Sequence, residues 1–335
     1  MTLLVVELLV MIVLILVAAA MFTNALEHLG ERLGISEGVT GSLFAAVGTA
    51  LPETSVPLLA IFAGSASSTE INEEIGVGAI LGAPLMLSTL STCIMALAVI
   101  GTRGFGGRID PERGGLVRDL DFFLFAFVLA TAAMFVPHEA RYLRGTLGAA
   151  LVLTYFVYLM ITIAASGRLV QDGHGTQAEE RMFLSRIGLP CNLVTILIQL
   201  GLALALLIYG AKGFIDGVEG VAQLFGISAL LLSLLIIPIA TELPEKVNSV
   251  LWIRKSKDTL AFGNITGAMV FQGTLLPAIG IMLTPWQPRI EVLSGVLITL
   301  AATLWVRLHA REGGVPVWAL MVNGALYGTY LTVTL

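Results

Sequence analysis

Ten stretches of mainly apolar residues follow one another almost without interruption, at 3–22, 37–64, 74–101, 120–137, 142–165, 190–211, 227–252, 259–284, 290–309 and 315–334. About twenty such residues cross the hydrocarbon layer of a bilayer as a helix, and a helix pairs its backbone polar groups within itself, as a membrane interior demands. The pattern predicts an all-α polytopic membrane protein with ten transmembrane helices. Composition removes the soluble alternatives. Only 12% of the 335 residues are charged and 57% are apolar, whereas soluble domains carry about a quarter charged residues. An ordinary cytosolic enzyme, a nucleic-acid binder and a disordered chain are thereby excluded. No Lys or Arg precedes the first run and no convincing cleavage site follows it, so it is expected to remain as a span. Cys93 and Cys191 make neither a CxxC motif nor a disulfide framework, which leaves redox chemistry and structural zinc without ligands.

The basic residues orient the chain. Thirteen of the 18 Lys and Arg lie in connections after odd-numbered spans, four (Arg141, Arg144, Lys212, Arg289) lie on the other side, and Lys246 is inside a span. Excess Lys and Arg marks the cytoplasmic side. Both termini of a multi-pass inner or plasma membrane protein are therefore expected outside the cytoplasm. Trp252, Trp286 and Trp318 fall near span ends and read as interfacial anchors.

The chain also repeats itself. Phe22, Glu27, Gly34, Ile35 and Ser36 align with Phe214, Glu219, Gly226, Ile227 and Ser228 at an offset of 192. The same offset lays Thr49-Ala50-Leu51-Pro52-Glu53 on Thr241-Glu242-Leu243-Pro244-Glu245 and Glu7 on Gln199. Slightly further on, Gly78-x-x-x-Gly82-Ala83 answers Gly263-x-x-x-Gly267-Ala268. Five spans per half is an odd number, so the second half starts on the opposite side of the membrane. The expected organisation is a first inverted repeat at 1–165, with motif helices 37–64 and 74–101. A cytoplasmic connection follows at 166–189, then a second repeat at 190–335 with motif helices 227–252 and 259–284. Inverted repeats of this kind build secondary transporters, with the site near the midplane at interrupted helices.

The T-x-L-P-E segments carry the chemistry. Glu53 and Glu245 sit in mid-span, where a carboxylate costs about 2.5–3.5 kcal/mol to insert; Glu242 adds a third. Thr49 with Glu53, and Thr241 with Glu245, are four apart and share a helix face. Pro52 and Pro244 each remove a helical hydrogen bond, which frees carbonyls around Gly48 and Ala240. Carboxylates, hydroxyls and free carbonyls form an all-oxygen shell suited to hard cations such as Ca²⁺ or Na⁺ rather than to softer metals. Crowded acids repel in a poor dielectric, and a divalent ion, several monovalent ions or protons each relieve that repulsion. Lys246, about 100° around a regular helix from Glu245, either neutralises a carboxylate or lines a pathway. The GxxxG spacings serve close packing.

These segments resemble the α-repeats of the Ca²⁺:cation antiporter superfamily, the sodium/calcium exchangers, whose copies read G-T-S-L-P-E and A-T-S-L-P-E, each followed by a helix with a G-[NST]-x-x-G-[SND]-N pattern. The resemblance implies that Glu53 and Glu245 are central Ca²⁺ ligands and that Thr49 and Thr241 contribute to ion binding. It also implies that backbone carbonyls near Ala46 and Pro238 complete flanking cation sites, and that spans 1 and 6 move against the other helices. This chain departs from the pattern: Ala79, Ala83 and Ala268 stand where the family is polar, and only Asn264 keeps an oxygen ligand there. Ala50 and Glu242 replace the motif serines. The implied function is secondary antiport, Na⁺/Ca²⁺ exchange by alternating access. Exchange of Ca²⁺ or another divalent cation for H⁺ is the alternative, because Glu242 adds a titratable group. A cation channel or an intramembrane enzyme fits less well, since the chain has no oligomeric-filter, nucleophile or metal-triad motif. No cofactor and no nucleic acid is implied; the partners are inorganic cations and the lipid bilayer. The sequence sets no oligomeric state, and a monomer already contains both halves of the site.

Overall fold

A computed structural model describes residues 2–46, 69–171, 175–178, 180–224 and 242–334. Helix α1 (Thr2–Leu33) is followed by a short α2 (Glu37–Val39) that widens into a π-helical segment, Thr40–Ala45. Helix α3 (Thr69–Met86) passes through a second π segment, Leu87–Ser91, into α4 (Thr92–Arg103). Strand β1 (Arg108–Ile109) leads to α5 (Arg113–Ala133), α6 (Arg141–Gln171) and the short α7 (Phe183–Arg186). Helices α8 (Leu193–Leu224), α9 (Leu243–Arg254), α10 (Asp258–Leu283) and α11 (Ile290–His309) follow. Strand β2 (Val315–Pro316) and α12 (Val317–Thr334) complete the described chain. Among these residues six helices are long and apolar enough to cross a membrane. The greater parts of the expected spans 37–64 and 227–252 lie outside the described residues.

Helix α10 is the centre of the bundle. It packs against α5, α6, α9, α3 and the first π segment, and its sequence permits that closeness. A side chain at Gly41 would meet the Leu260 carbonyl at 2.9 Å, one at Gly263 would meet the Ser42 amide at 3.1 Å, and one at Gly267 would collide with the Ser42 backbone. The second GxxxG pair thus seats span 8 on span 2, joining elements from the two halves. Helices α1 and α8 instead pack chiefly on each other. Val6, Leu9, Val10, Val13 and Val17 on one, and Val194, Leu197, Ile198 and Leu202 on the other, are exposed, the pattern of a pair facing lipid.

One end of the bundle is closed by polar contacts. Asp258, in the first turn of α10, accepts from Arg103 Nη1 at 2.6 Å and Nη2 at 2.7 Å, and from the Asp110 amide at 2.8 Å. This two-pronged geometry orients as well as attracts. Nearby, β1 and β2 pair antiparallel, Arg108 opposite Pro316 and Ile109 opposite Val315, so a small ribbon qualifies the all-helical expectation. A sequence periodicity of two cannot show itself over two residues.

Two expectations need correction. Trp252 and Trp286 are each 1% exposed and are no interfacial anchors. The Trp252 indole donates to Glu27 Oε1 at 2.9 Å and that of Trp286 to the Ala130 carbonyl at 3.0 Å. Trp318 is partly buried, edge-on to Trp305 at 6.0 Å. Helix α1 also continues well past residue 22, because Asn24 and Glu27 find partners inside the protein rather than water.

Candidate functional site

The best-defined part of the T-x-L-P-E chemistry lies at the start of α9. Glu242 is the residue before the helix, and Leu243 and Pro244 open it; proline suits that place because its missing N–H would have no helical acceptor anyway. Glu245 falls in the first turn, where the positive end of the helix favours a carboxylate. Glu242 and Glu245 are both completely buried. Lys246, one helical turn beyond Glu242, is only 6% exposed and its ammonium lies 3.0 Å from Glu242 Oε2. Of the two roles open to Lys246 in the sequence, the structure places it in the first, beside a carboxylate. Unit charges at that distance attract by about 5 kcal/mol at an effective dielectric near 20.

A tight turn at Lys255, Ser256 and Lys257 folds α10 back along α9 and brings Asn264 against the backbone of Glu245. The Asn264 amide donates to the Glu245 carbonyl and to Ser249 Oγ, each at 3.0 Å, and Ser249 Oγ donates to the Ala261 carbonyl at 3.1 Å. With its NH₂ so engaged, Asn264 Oδ1 is left buried without a hydrogen-bond partner among the described residues, as are Glu242 Oε1 and both polar atoms of Asn248. Buried acceptors ordinarily find donors, and oxygens without them suit a cation. Asn248 was not among the sequence candidates, although it is three residues beyond Glu245 and so on the same helical face. Ala46 is buried at the end of the first π segment. Glu53, Thr49, Thr241 and Pro238 lie outside the described residues, as do Gly48, Pro52 and Ala240.

A further carboxylate lies deep in the bundle, away from the T-x-L-P-E segments. Asp119 on α5 is 1% exposed. Its Oδ2 accepts from Ser42 at 2.8 Å and Thr266 at 2.7 Å, and its Oδ1 from Tyr158 at 3.0 Å, with Arg118 at 3.4 Å. A cavity of about 10 Å³ beside it, lined in part by Ser42, Glu112, Asp119 and Thr266, has room for roughly one water. A third buried group ties α1 to the α9–α10 turn: Glu27 meets Lys257 at 2.8 Å besides Trp252. Next to it Gln199, the repeat partner of Glu7, donates to Asn24 Oδ1 at 2.9 Å and to the Met21 carbonyl at 3.0 Å. Neither group betrays itself in sequence, because each lies at the margin of an apolar run where charges ordinarily face water.

Fold and site together define a multi-pass membrane protein with paired buried carboxylates at the start of a helix, the class of the transporters rather than of the enzymes. Within it the chain belongs to the sodium/calcium exchanger family, whose sequence model, described as Sodium/calcium exchanger protein, matches residues 3–164 and 195–335. It is 26% identical over 280 residues to the inner membrane protein YrbG of Escherichia coli strain K12, covering 84% of this chain and 80% of that protein. It is 27% identical over 277 residues to the putative antiporter CaxA of Alkalimonas amylolytica, covering 83% and 80%. Its likeness to the sodium/calcium exchanger MaX1 of Methanosarcina acetivorans is 24% over 274 residues, or 74% of each chain. Among solved structures, the sodium-calcium exchanger NCX_Mj soaked with 100 mM Na⁺ and 10 mM Sr²⁺ superposes with a TM-score of 0.74 at 19% identity, over 99% of both chains. That likeness establishes the exchanger fold for this chain.

Proposed function

We propose that this protein is a secondary active cation antiporter that exchanges Ca²⁺ for Na⁺ by alternating access. In this reading Glu53 and Glu245 hold the ion at the midplane, Glu242, Asn264, Thr49 and Thr241 add side-chain oxygens, and backbone carbonyls at Ala46 and Pro238 complete the shell. Two inverted five-span repeats, 1–165 and 190–335, joined by a cytoplasmic connection at 166–189, form an inner or plasma membrane protein with both termini outside the cytoplasm. The carrying observation is the cluster of buried oxygens at the start of α9, where Glu242 Oε1 and Asn264 Oδ1 lack hydrogen-bond partners among the described residues and Glu245 shares the same turn. Oxygen donors of that kind select hard cations. Membership of the exchanger family supports the exchange of such ions, and the names of MaX1 and NCX_Mj support sodium and calcium in particular.

Exchange of a divalent cation for H⁺ is the second reading, favoured by one observation: Glu242 is an additional buried carboxylate in the place of a motif serine. Purified protein in vesicles distinguishes the two. Ca²⁺ uptake is followed under an outward Na⁺ gradient and, separately, an outward H⁺ gradient, with Glu53→Gln and Glu245→Gln as controls. Uptake driven by Na⁺ alone is the expected result. Uptake indifferent to both gradients removes the antiport reading, and full transport by both variants removes the site.

A further inference from the structure

A trough on the outside of the bundle joins a cationic mouth to an apolar floor. It runs between α6 and the last turn of α10, at the end of α10 remote from Asp258. The mouth, about 430 Å³, is lined by His138, Arg141, Arg144, Gly145, Met282 and Leu283. The floor, about 400 Å³, shares Gly145 and Met282 and continues past Gly148 and Val152 to Phe156. These α6 positions recur every three or four residues and so form one face of the helix. Gly145 to Phe156 spans about 16 Å of helix, close to the roughly 15 Å of hydrocarbon in one leaflet. Gly145 opens the trough: a side chain built there meets nothing within 4 Å, whereas one at Gly148 would meet Met282 at 3.2 Å.

The mouth carries charge that the protein does not balance. Arg144 is 3% exposed, and its guanidinium donates four hydrogen bonds to the carbonyls of Ile281, Thr284 and Pro285. Those carbonyls close the C-terminal end of α10, whose dipole supplies about half a negative charge. Arginine has five N–H donors, so one is left over. Among the described residues no carboxylate pairs with Arg144 or with the exposed Arg141, and Glu139 is exposed and does not line the trough. Arg141 and Arg144 are also two of only four Lys and Arg expected at this end of the bundle.

We propose that this trough is a binding site for one anionic phospholipid, whose phosphate sits at Arg141 and the remaining N–H of Arg144 while an acyl chain lies over Gly145 and along α6 to Phe156. Charge complementarity selects the occupant. The mouth calls for an anion, and the floor, where Leu153, Phe156 and Met282 are each more than half exposed, calls for a chain attached to it. Free phosphate meets only the first demand. A zwitterionic lipid brings its own cation to a mouth that already has two. Because Arg144 also holds the end of α10, a lipid that neutralises it stabilises the folded bundle by mass action. The proposal is independent of which ions the protein carries.

Native mass spectrometry of the detergent-purified protein tests this, with dioleoylphosphatidylglycerol as the probe and dioleoylphosphatidylcholine and glycerol phosphate as controls. Gly145→Leu fills the open space with a better helix former, and Arg141→Gln removes a charge from the mouth. Arg113→Gln makes the same charge change at the far end of the bundle, at the start of α5. The parent is expected to retain one phosphatidylglycerol about tenfold more tightly than phosphatidylcholine, and each trough variant to lose about that factor. Arg113→Gln should bind as the parent does. Phosphatidylglycerol should also raise the thermal midpoint of the parent and of Arg113→Gln more than that of either trough variant. Equal retention of the two lipids, the mark of ordinary bilayer contact, overturns the proposal. Parent-like binding by either trough variant overturns it too, as does a thermal shift that glycerol phosphate alone reproduces. Should Gly145→Leu fail to fold, Arg141→Gln read against Arg113→Gln decides.

Discussion

Replacing Asp119 with leucine removes the buried acceptor that joins the first π segment, α5, α6 and α10. Thr266 keeps a partner, because its hydroxyl also donates to the Phe262 carbonyl at 2.9 Å. Ser42 and Tyr158 lose the acceptor at 2.8 and 3.0 Å, and Arg118 loses its carboxylate at 3.4 Å. Each buried donor left without a partner costs about 1–3 kcal/mol, so two hydroxyls and a weakened arginine contact give a loss of about 4 kcal/mol. With an unfolding entropy of about 2.1 cal/mol/K per residue, a chain of this length has an entropy near 0.7 kcal/mol/K, and the midpoint falls by about 6 °C. Asp119→Asn still offers an acceptor oxygen to the hydroxyls and exchanges charged for neutral hydrogen bonds. Its loss is about 1–2 kcal/mol, or roughly 2 °C. Thermal unfolding of the detergent-purified proteins, followed by intrinsic fluorescence, measures both. A leucine variant as stable as the parent refutes the reasoning. So does an asparagine variant as damaged as the leucine one, which would make the charge, and not the bonds, the source of the stability.

Glu27→Gln leaves Lys257, and Lys257→Met leaves Glu27, as a buried charge without its opposite at 2.8 Å; each is expected to cost about 3–5 kcal/mol, and the double variant to recover most of it. A double-mutant cycle by thermal unfolding that shows additive losses contradicts a direct pairing. On the connection, Glu180 is held below the ordinary carboxylate range by the Lys255 ammonium hydrogen-bonded to it, with Arg186 adding to the effect. A depressed carboxylate stabilises the folded form above its unfolded value, and that contribution is lost as pH falls through the lower folded value. Limited proteolysis of the 166–189 connection should therefore accelerate on acidification below about pH 4.5, and Lys255→Met should make cleavage at neutral pH faster and less dependent on pH.

The membrane class and, among the described residues, most helix positions were legible in the chain, because each depends on short-range spacing. About twenty apolar residues set a span, and residues three or four apart share a face. Glu242, Glu245, Lys246 and Asn264 were accordingly visible, and Glu242 and Lys246, four apart at the start of α9, meet as that spacing allows. Asn248 obeyed the same spacing and was missed only because an isolated asparagine looks unremarkable in an apolar run. What tertiary structure alone decided was which margin charges turn inward. Asp119 meets Thr266 across 147 residues of chain, and Glu27 meets Lys257 across 230. A hydropathy pattern records that a charge sits near the end of a helix, but not what lies across from it. Whether such a charge faces water or a partner is fixed only when the helices pack. The sequence thus determined that acids and a lysine sit within the spans that hold the T-x-L-P-E segments. The packing determined which carboxylate the lysine neutralises and where the remaining buried charges hold the bundle closed, because those pairings depend on distances that no local rule contains.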